Sequence, residues 1–219
     1  MSTALVEHTG PWTPDDVEAL PDAGDHARFE VYEGGVLVVS PVPGVGHQRV
    51  SYRLHRALAE AAIATSADVE VLEAVNVALP GGKLLAPDLV VADADADAVG
   101  ETATGLPCEA VQAVVEIVPP STASIDRAVK PAMYAEAGIP VYWRVELQGT
   151  PKIVACFLSR GRYVTRTTLV AGTLGRITRP FPVELDPADL TRRTPEPQGQ
   201  GWAHGKIFIE RAPSRYGRF

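Results

Sequence analysis

The sequence predicts a mixed α/β (α+β) domain in which a central mixed β-sheet is flanked by helices. Three observations carry this. Residues 46 to 64 repeat apolar side chains at intervals of three and four, the signature of an amphipathic helix. Short apolar runs bounded by Gly and Pro recur from Phe29 to Val170 and read as strands. The elements follow the order helix, hairpin, helix, strands, helix, strands, which suits a mixed sheet, and no internal repeat interrupts it.

Taken in order, Thr13-Pro14-Asp15-Asp16 starts a short helix to about Leu20, because a hydroxyl cap, a first-turn proline and acids near the positive end of the dipole coincide there. Phe29–Tyr32 and Val36–Val39 flank Glu33-Gly34-Gly35 and predict a hairpin, ended by Ser40-Pro41-Val42-Pro43-Gly44. The long helix follows, with Val50, Leu54, Ala57, Leu58, Ala61 and Ala62 on one stripe. Val69–Leu79 and Leu84–Val91 read as two strands around Pro80-Gly81-Gly82, and 92–107 as a small, acidic loop. Val111–Val118 is short enough to be a buried strand. Ser124–Ala137 reads as a helix stopped by Gly138, and Ile139–Glu146 as the next strand. Ile153–Leu158 and Tyr163–Val170 form a hairpin around Ser159-Arg160-Gly161, and Phe181–Leu185 adds an edge strand.

The 219 residues fit one domain over 1–190, with a basic appendage rich in Gly, Pro and Arg over 191–219. The apolar fraction of 46% and charged fraction of 21% describe a globular protein, and no segment reads as a membrane span. The N-terminus lacks a basic region followed by an apolar core, so a cytoplasmic location is expected. Cys108 and Cys156 have no motif spacing and read as buried thiols. The net charge of -7 divides into +4 on the tail and -11 on the body, which argues against a broad electrostatic grip on nucleic acid. The tail alone could touch a polyanion, although exposed tails of this composition are more often simply solvated.

Two acids stand inside apolar strand patterns. Asp88 lies in LLAPDLVVA and Glu116 in AVVEIVPP. Burying an unpaired carboxylate costs several kcal/mol, so each needs a cation, a proton or hydrogen-bond donors. Converging at neighbouring strand ends, the two would suit Mg²⁺, which takes oxygen ligands and one or two carboxylates with water. Each acid alone also has a plain reading, Asp88 as a turn residue and Glu116 as an exposed strand end. Lys130 is one of four lysines among sixteen arginines, a choice that suggests a compact ammonium was needed there. An Asp126–Lys130 pair on a solvated helix face explains it equally from composition.

Four blocks, ARFEVYEGGVLVVSPVPGVGHQRV, APDLVV, VVEIVPPST and DRAVKPAMYAEAGIPVYWRVE, resemble the Uma-two family of restriction-endonuclease-like proteins within the PD-(D/E)xK nuclease superfamily. The resemblance spans about residues 10 to 190. It implies a restriction-endonuclease-like fold, Asp88 and Glu116 as metal-binding acids and Lys130 as the basic residue. Glu30 and His47 fall on further family positions and are implied to line the same site. The chain departs from the superfamily pattern at Val118, where E-x-K would place a lysine, and the family pattern puts the lysine on the next helix, at Lys130. Pro119 replaces a common serine, and Pro131 is expected to kink the helix directly after the lysine.

The expected activity is hydrolysis of a nucleic-acid phosphodiester, with DNA the expected polymer and Mg²⁺, or Mn²⁺, held by Asp88, Glu116 and the Val118 carbonyl. Lys130 would orient the attacking water or stabilise the transition state. Glu30 would support a second metal position or metal-bound waters, and His47 a phosphate contact, a base or no chemistry at all. The rival expectations are a non-catalytic nucleic-acid or protein-binding module on a nuclease scaffold and a self-associating structural protein, a homodimer in the simplest case. Asp93, Asp95 and Asp97 alternate like a calcium loop but lack its Gly and Glu, since Ala98 and Thr104 stand there. His8, His26, His55 and His204 have no zinc spacing, and Ser121, Thr122 and Ser124 suffice as helix caps.

Overall fold

A computed structural model of the chain describes residues 8–20, 28–95, 105–118 and 125–192. Helix α1 (Pro14–Glu18) opens on a reciprocal cap: the Thr13 hydroxyl accepts from the Asp16 N–H at 3.2 Å, and the Asp16 carboxylate accepts from the Thr13 N–H at 2.9 Å. Strands β1 (Arg28–Tyr32) and β2 (Val36–Ser40) pair antiparallel. Gly34 and Gly35 both carry φ of 73° in the turn between them, and a Cβ on Gly35 would collide with Pro11, so glycine is required there.

Helix α2 (Val45–Thr65) buries Val50, Leu54, Leu58 and Ala62, a stripe of strict fourfold spacing. It ends where Ser66 turns left-handed at φ 52°. The strands that follow are β3 (Val69–Glu73), β4 (Asn76–Leu79), β5 (Lys83–Leu85), β6 (Leu89–Asp93), β7 (Gly105–Pro107) and β8 (Val111–Val118). After a π-helical turn at Ile125–Val129 come α3 (Lys130–Glu136), β9 (Val141–Glu146), β10 (Lys152–Ser159), β11 (Arg162–Val170), β12 (Gly175–Ile177), β13 (Val183–Leu185) and α4 (Pro187–Thr191).

Two sheets organise these strands. The larger runs β11-β10-β9-β8-β6-β3 and is mixed, with β8 and β9 parallel and its other neighbours antiparallel. The second runs β2-β1-β5-β4-β7, and β12 pairs with β13 apart from both. Trp143, Val115, Ile117 and Leu89 on one face of the larger sheet pack against the α2 stripe. On the opposite face Val90, Val114, Tyr142 and Val154 pack with Met133 and Tyr134 of α3 and with Val77 and Leu85 of the second sheet. Covered on both faces, β8 is buried at nearly every position, which is why its sequence, Gln112 and Glu116 apart, is apolar throughout instead of alternating.

Several boundaries differ from expectation. The runs 69–79 and 84–91 are each cut in two and shared between the sheets. The first breaks at Ala74, whose φ of 57° redirects the chain, and the second at Ala86-Pro87-Asp88. The stretch 92–107 is not all loop, since β6 extends to Asp93 and β7 pairs parallel with β4. Phe181–Leu185 yields only the three residues of β13, paired with β12 and not at an edge of the central sheet. The hairpin at 160–161 stands as expected, with Arg160 and Gly161 both left-handed. Residues 96–104, 119–124 and 193–219, hence Asp97, Pro119, the serine and threonine caps and nearly all of the basic appendage, lie outside the described residues. Among the described residues no helix is long and apolar enough to cross a membrane. Cys108 and Cys156 are buried free thiols, as expected.

Candidate active site

The break at Ala86-Pro87-Asp88 carries the chain from the second sheet into the larger one and leaves Asp88 at the entrance to β6. Leu89 pairs with Val115 in antiparallel register, so Asp88 stands beside Glu116 on the neighbouring strand. Side chains alternate across a strand, and Val90 and Val114 face α3 and the second sheet; Asp88 and Glu116 therefore face that side too. Both are buried, as are Glu30 and Lys130.

Each acid has distinct partners. Asp88 Oδ1 accepts from Arg28 Nη1 at 2.6 Å, while Oδ2 accepts from the Ile117 N–H at 2.7 Å and lies 3.0 Å from His47 Nε2. Glu116 Oε1 accepts from Lys130 Nζ at 3.1 Å and from the Tyr134 hydroxyl at 2.8 Å. Glu30, on β1 of the second sheet, reaches Lys130 Nζ at 2.9 Å, accepts from the Ala86 N–H at 2.9 Å and from the Tyr32 hydroxyl at 3.2 Å. Lys130 thus bridges acids from the two sheets. This disposes of the solvated-face reading of Lys130, since its ammonium is buried between carboxylates.

The expected kink at Pro131 takes another form. The irregularity falls before the lysine, in the π turn Ile125–Val129, and Pro131 occupies the first turn of α3, where an N–H would have no intrahelical partner. Lys130, the first residue of α3, is directed at Glu30 and Glu116. The plain turn reading of Asp88 and the exposed-edge reading of Glu116 also fail, because both side chains are buried and β8 is an interior strand.

Electrostatics follow from these contacts. Burial pushes the Asp88 carboxyl up, but the His47 hydrogen bond, the charges of His47 and Arg28 and the Ile117 N–H outweigh it and hold Asp88 below its ordinary 3.8. Burial pulls the Lys130 ammonium down, yet the charges of Glu116 and Glu30 dominate and raise it above 10.5, so it stays protonated. Burial first, then the neighbouring carboxylates, raises the hydroxyls of Tyr134 and Tyr32. A carboxyl lowered in the folded state contributes stability that is present above its unfolded value and lost as pH falls through the folded one. Urea unfolding below about pH 4 is therefore expected to show a falling midpoint, with a smaller fall in Asp88→Asn; an equal fall in both proteins would contradict this assignment.

Five residues singled out from the sequence, Glu30, His47, Asp88, Glu116 and Lys130, meet at one place. Val118 closes β8 beside Glu146, with its side chain buried. Arg28, Tyr32 and Tyr134 were not anticipated, although spacing points to them. Arg28, Glu30 and Tyr32 alternate onto one face of β1, and Tyr134 follows Lys130 by one helical turn.

The donor set suits a hard divalent cation: carboxylate oxygens from adjacent strands, and three acids against Arg28 and Lys130, which leaves one formal negative charge when His47 is neutral. Among the described residues no group of three or more His, Cys, Asp or Glu side chains is placed to hold a metal unaided. Water, backbone carbonyl or substrate oxygens would have to complete the shell, as is usual for Mg²⁺. Arg28 competes with any cation for Asp88.

No curated protein matches the chain. Among solved structures it is similar to one described as "a putative nuclease belonging to DUF820" from Anabaena variabilis, with a TM-score of 0.61 at 16% identity over 83% of this chain and 98% of that one. At that identity the likeness shows a shared fold. The model of the Uma2 family, described as "Putative restriction endonuclease", matches residues 14–191, a span that contains all three sheets and every residue of the acid cluster, and the chain belongs to that family.

Proposed function

We propose that this protein is a metal-dependent nuclease that hydrolyses nucleic-acid phosphodiester bonds, DNA being the expected polymer. The observation that supports it most is the meeting of Asp88 and Glu116 on adjacent strands with Lys130 between Glu116 and Glu30. Mg²⁺ held by Asp88, Glu116 and the Val118 carbonyl would supply an activated water and neutralise charge on the phosphate.

The chain's own residues have separable tasks. Lys130 keeps its proton, so it serves as a fixed positive donor and not as a base. Glu30 and Glu116 hold its ammonium from two sides, and Tyr134 fixes the Glu116 carboxylate. His47 and the Ile117 N–H orient Asp88 through one oxygen, while Arg28 engages the other. The test is cleavage of supercoiled DNA and of single-stranded DNA and RNA in Mg²⁺ or Mn²⁺, with EDTA as the control. Metal-dependent cleavage that EDTA stops is expected; no cleavage of any substrate with either metal contradicts the reading.

One observation favours a second reading, a non-catalytic nucleic-acid or protein-binding module on the nuclease scaffold. Both Asp88 oxygens are already engaged by protein groups, so a metal ion would have to displace one of them. On that reading nucleic acid or a protein partner binds but no strand is cut.

A further inference from the structure

The row of side chains that begins at Asp88 and Glu116 does not end there. Glu116 pairs in parallel register with Arg144 on β9, one strand farther across the sheet, a step of about 4.8 Å. Arg144 belongs to a second charge cluster built on Glu146, a buried acid two residues along the same face of β9. Glu146 accepts from Arg144 Nε at 2.7 Å, lies 3.2 Å from Arg127 Nη2 and 3.0 Å from Lys152 Nζ. Burial pushes the Glu146 carboxyl up, but Lys152 and Arg144 outweigh this and hold it below its ordinary value.

Three cations on one anion leave a local surplus of positive charge in a chain whose net charge is -7. Arg127 and Lys152 keep 47% and 40% of their side chains exposed, so their charge is presented to solvent. Arg127 and Arg144 also line a cleft of about 380 Å³ between α3 and β9–β11, with Arg162 and Tyr163 on its far side and, among the described residues, no Asp or Glu in its walls. The π turn Ile125–Val129 places Arg127 three residues before Lys130, which joins the cleft to the acid cluster along one helical segment.

We propose that Arg127, Arg144, Lys152 and Arg162 form a phosphate-binding track for the nucleic-acid backbone beside the acid cluster. Glu146 acts as the buried anchor that sets the spacing of the first three. This inference rests on the nuclease reading for its choice of polymer and adds where the strand lies: along β9–β11 past Arg144 and Glu116, from Lys152, which pairs with Glu146, to Arg162 at the β10–β11 hairpin. Guanidinium and ammonium groups in such a track hold phosphate without reading bases, so binding there is independent of sequence.

The test is binding of a short fluorescein-labelled duplex DNA in EDTA, measured by anisotropy over a series of salt concentrations. The proteins are wild type, the triple variant Arg127→Gln/Lys152→Gln/Arg162→Gln, and the control Arg56→Gln/Arg176→Gln, which removes two exposed arginines elsewhere. The triple variant is expected to bind at least about tenfold more weakly and to flatten the slope of log affinity against log salt by roughly 0.9 for each phosphate no longer neutralised. Arg162→Gln takes no part in the Glu146 cluster, so it reports on the track even where the triple variant loses its fold. Its slope should flatten by about 0.9, the value for a single phosphate.

Failure of binding by wild type, or equal losses in the control and the track variants, overturns the proposal. Cleavage in Mg²⁺ by proteins whose binding ignores these substitutions removes the track and leaves the nuclease reading standing. Binding that depends on the track, without cleavage in any metal, supports the track and removes the nuclease reading.

Discussion

Glu116→Gln is expected to lower metal-dependent cleavage by at least about 100-fold, the scale of deleting one strong electrostatic interaction from a reacting centre. The substitution keeps the size of the side chain and an acceptor for the Tyr134 hydroxyl and the Lys130 ammonium. It removes the charge. Folding should survive, because Lys130 retains the Glu30 carboxylate at 2.9 Å. Initial rates at saturating Mg²⁺, with a urea midpoint measured on the same preparation, separate a chemical defect from a structural one. Wild-type rates in a folded Glu116→Gln protein would exclude Glu116 from the reaction.

The largest effect on stability is expected at Lys130. Lys130→Met strips the shared cation from Glu30 and Glu116, two buried carboxylates drawn from different sheets. Breaking a buried pair by removing one partner costs about 3–5 kcal/mol, because the buried charge left behind loses its counter-charge. The triple variant Glu30→Gln/Glu116→Gln/Lys130→Met should recover most of that loss while remaining inactive, since it removes the stranded charges together with the site. Denaturant unfolding of the two variants checks this. A Lys130→Met protein as stable as wild type would show that the carboxylates are held by other groups.

These two substitutions probe the same ammonium from opposite sides, and they explain why a lysine stands where arginine is the chain's habit. A guanidinium is planar and forked; the narrow site between Glu30 and Glu116 takes one point charge with donors directed at both. Lys83 shows the same choice at a structural position. It is buried and bridges Glu33 of the β1–β2 turn at 3.0 Å and Glu136 of α3 at 2.8 Å, which ties the second sheet to the helix carrying Lys130. Both buried lysines therefore fix α3 against the sheets, one from each end.

The sequence exposes those parts of the fold and site whose signals are periodic or out of place. The α2 stripe is visible because Val50, Leu54, Leu58 and Ala62 repeat once per turn. Asp88 and Glu116 stand out because a charge in an apolar run demands a partner, and the structure supplies Arg28 and Lys130. The break at Ala74 leaves no such trace: alanine, unlike glycine or asparagine, does not mark a left-handed position, so nothing announces that β3 and β4 belong to different sheets. Strands of three residues such as β5, β7, β12 and β13 are too short to show a period. Helix α4 did carry a signal, with Asp186 capping the Ala188 N–H at 2.9 Å and Pro187 in the first turn, the same grammar as Thr13-Pro14. The partners of the acids were harder, because Arg28 lies 60 positions from Asp88 and only the pairing of two sheets brings them together.

The most direct measurement is a calorimetric titration of Mg²⁺ into wild type and Asp88→Asn, each with and without a short duplex DNA, with cleavage followed on the same preparations. Wild type is expected to bind the ion, alone or once phosphate oxygens complete the shell, and Asp88→Asn to lose both the binding and the cleavage. Equal binding by the two proteins, or none by wild type even with DNA present, would contradict a metal site at Asp88 and Glu116.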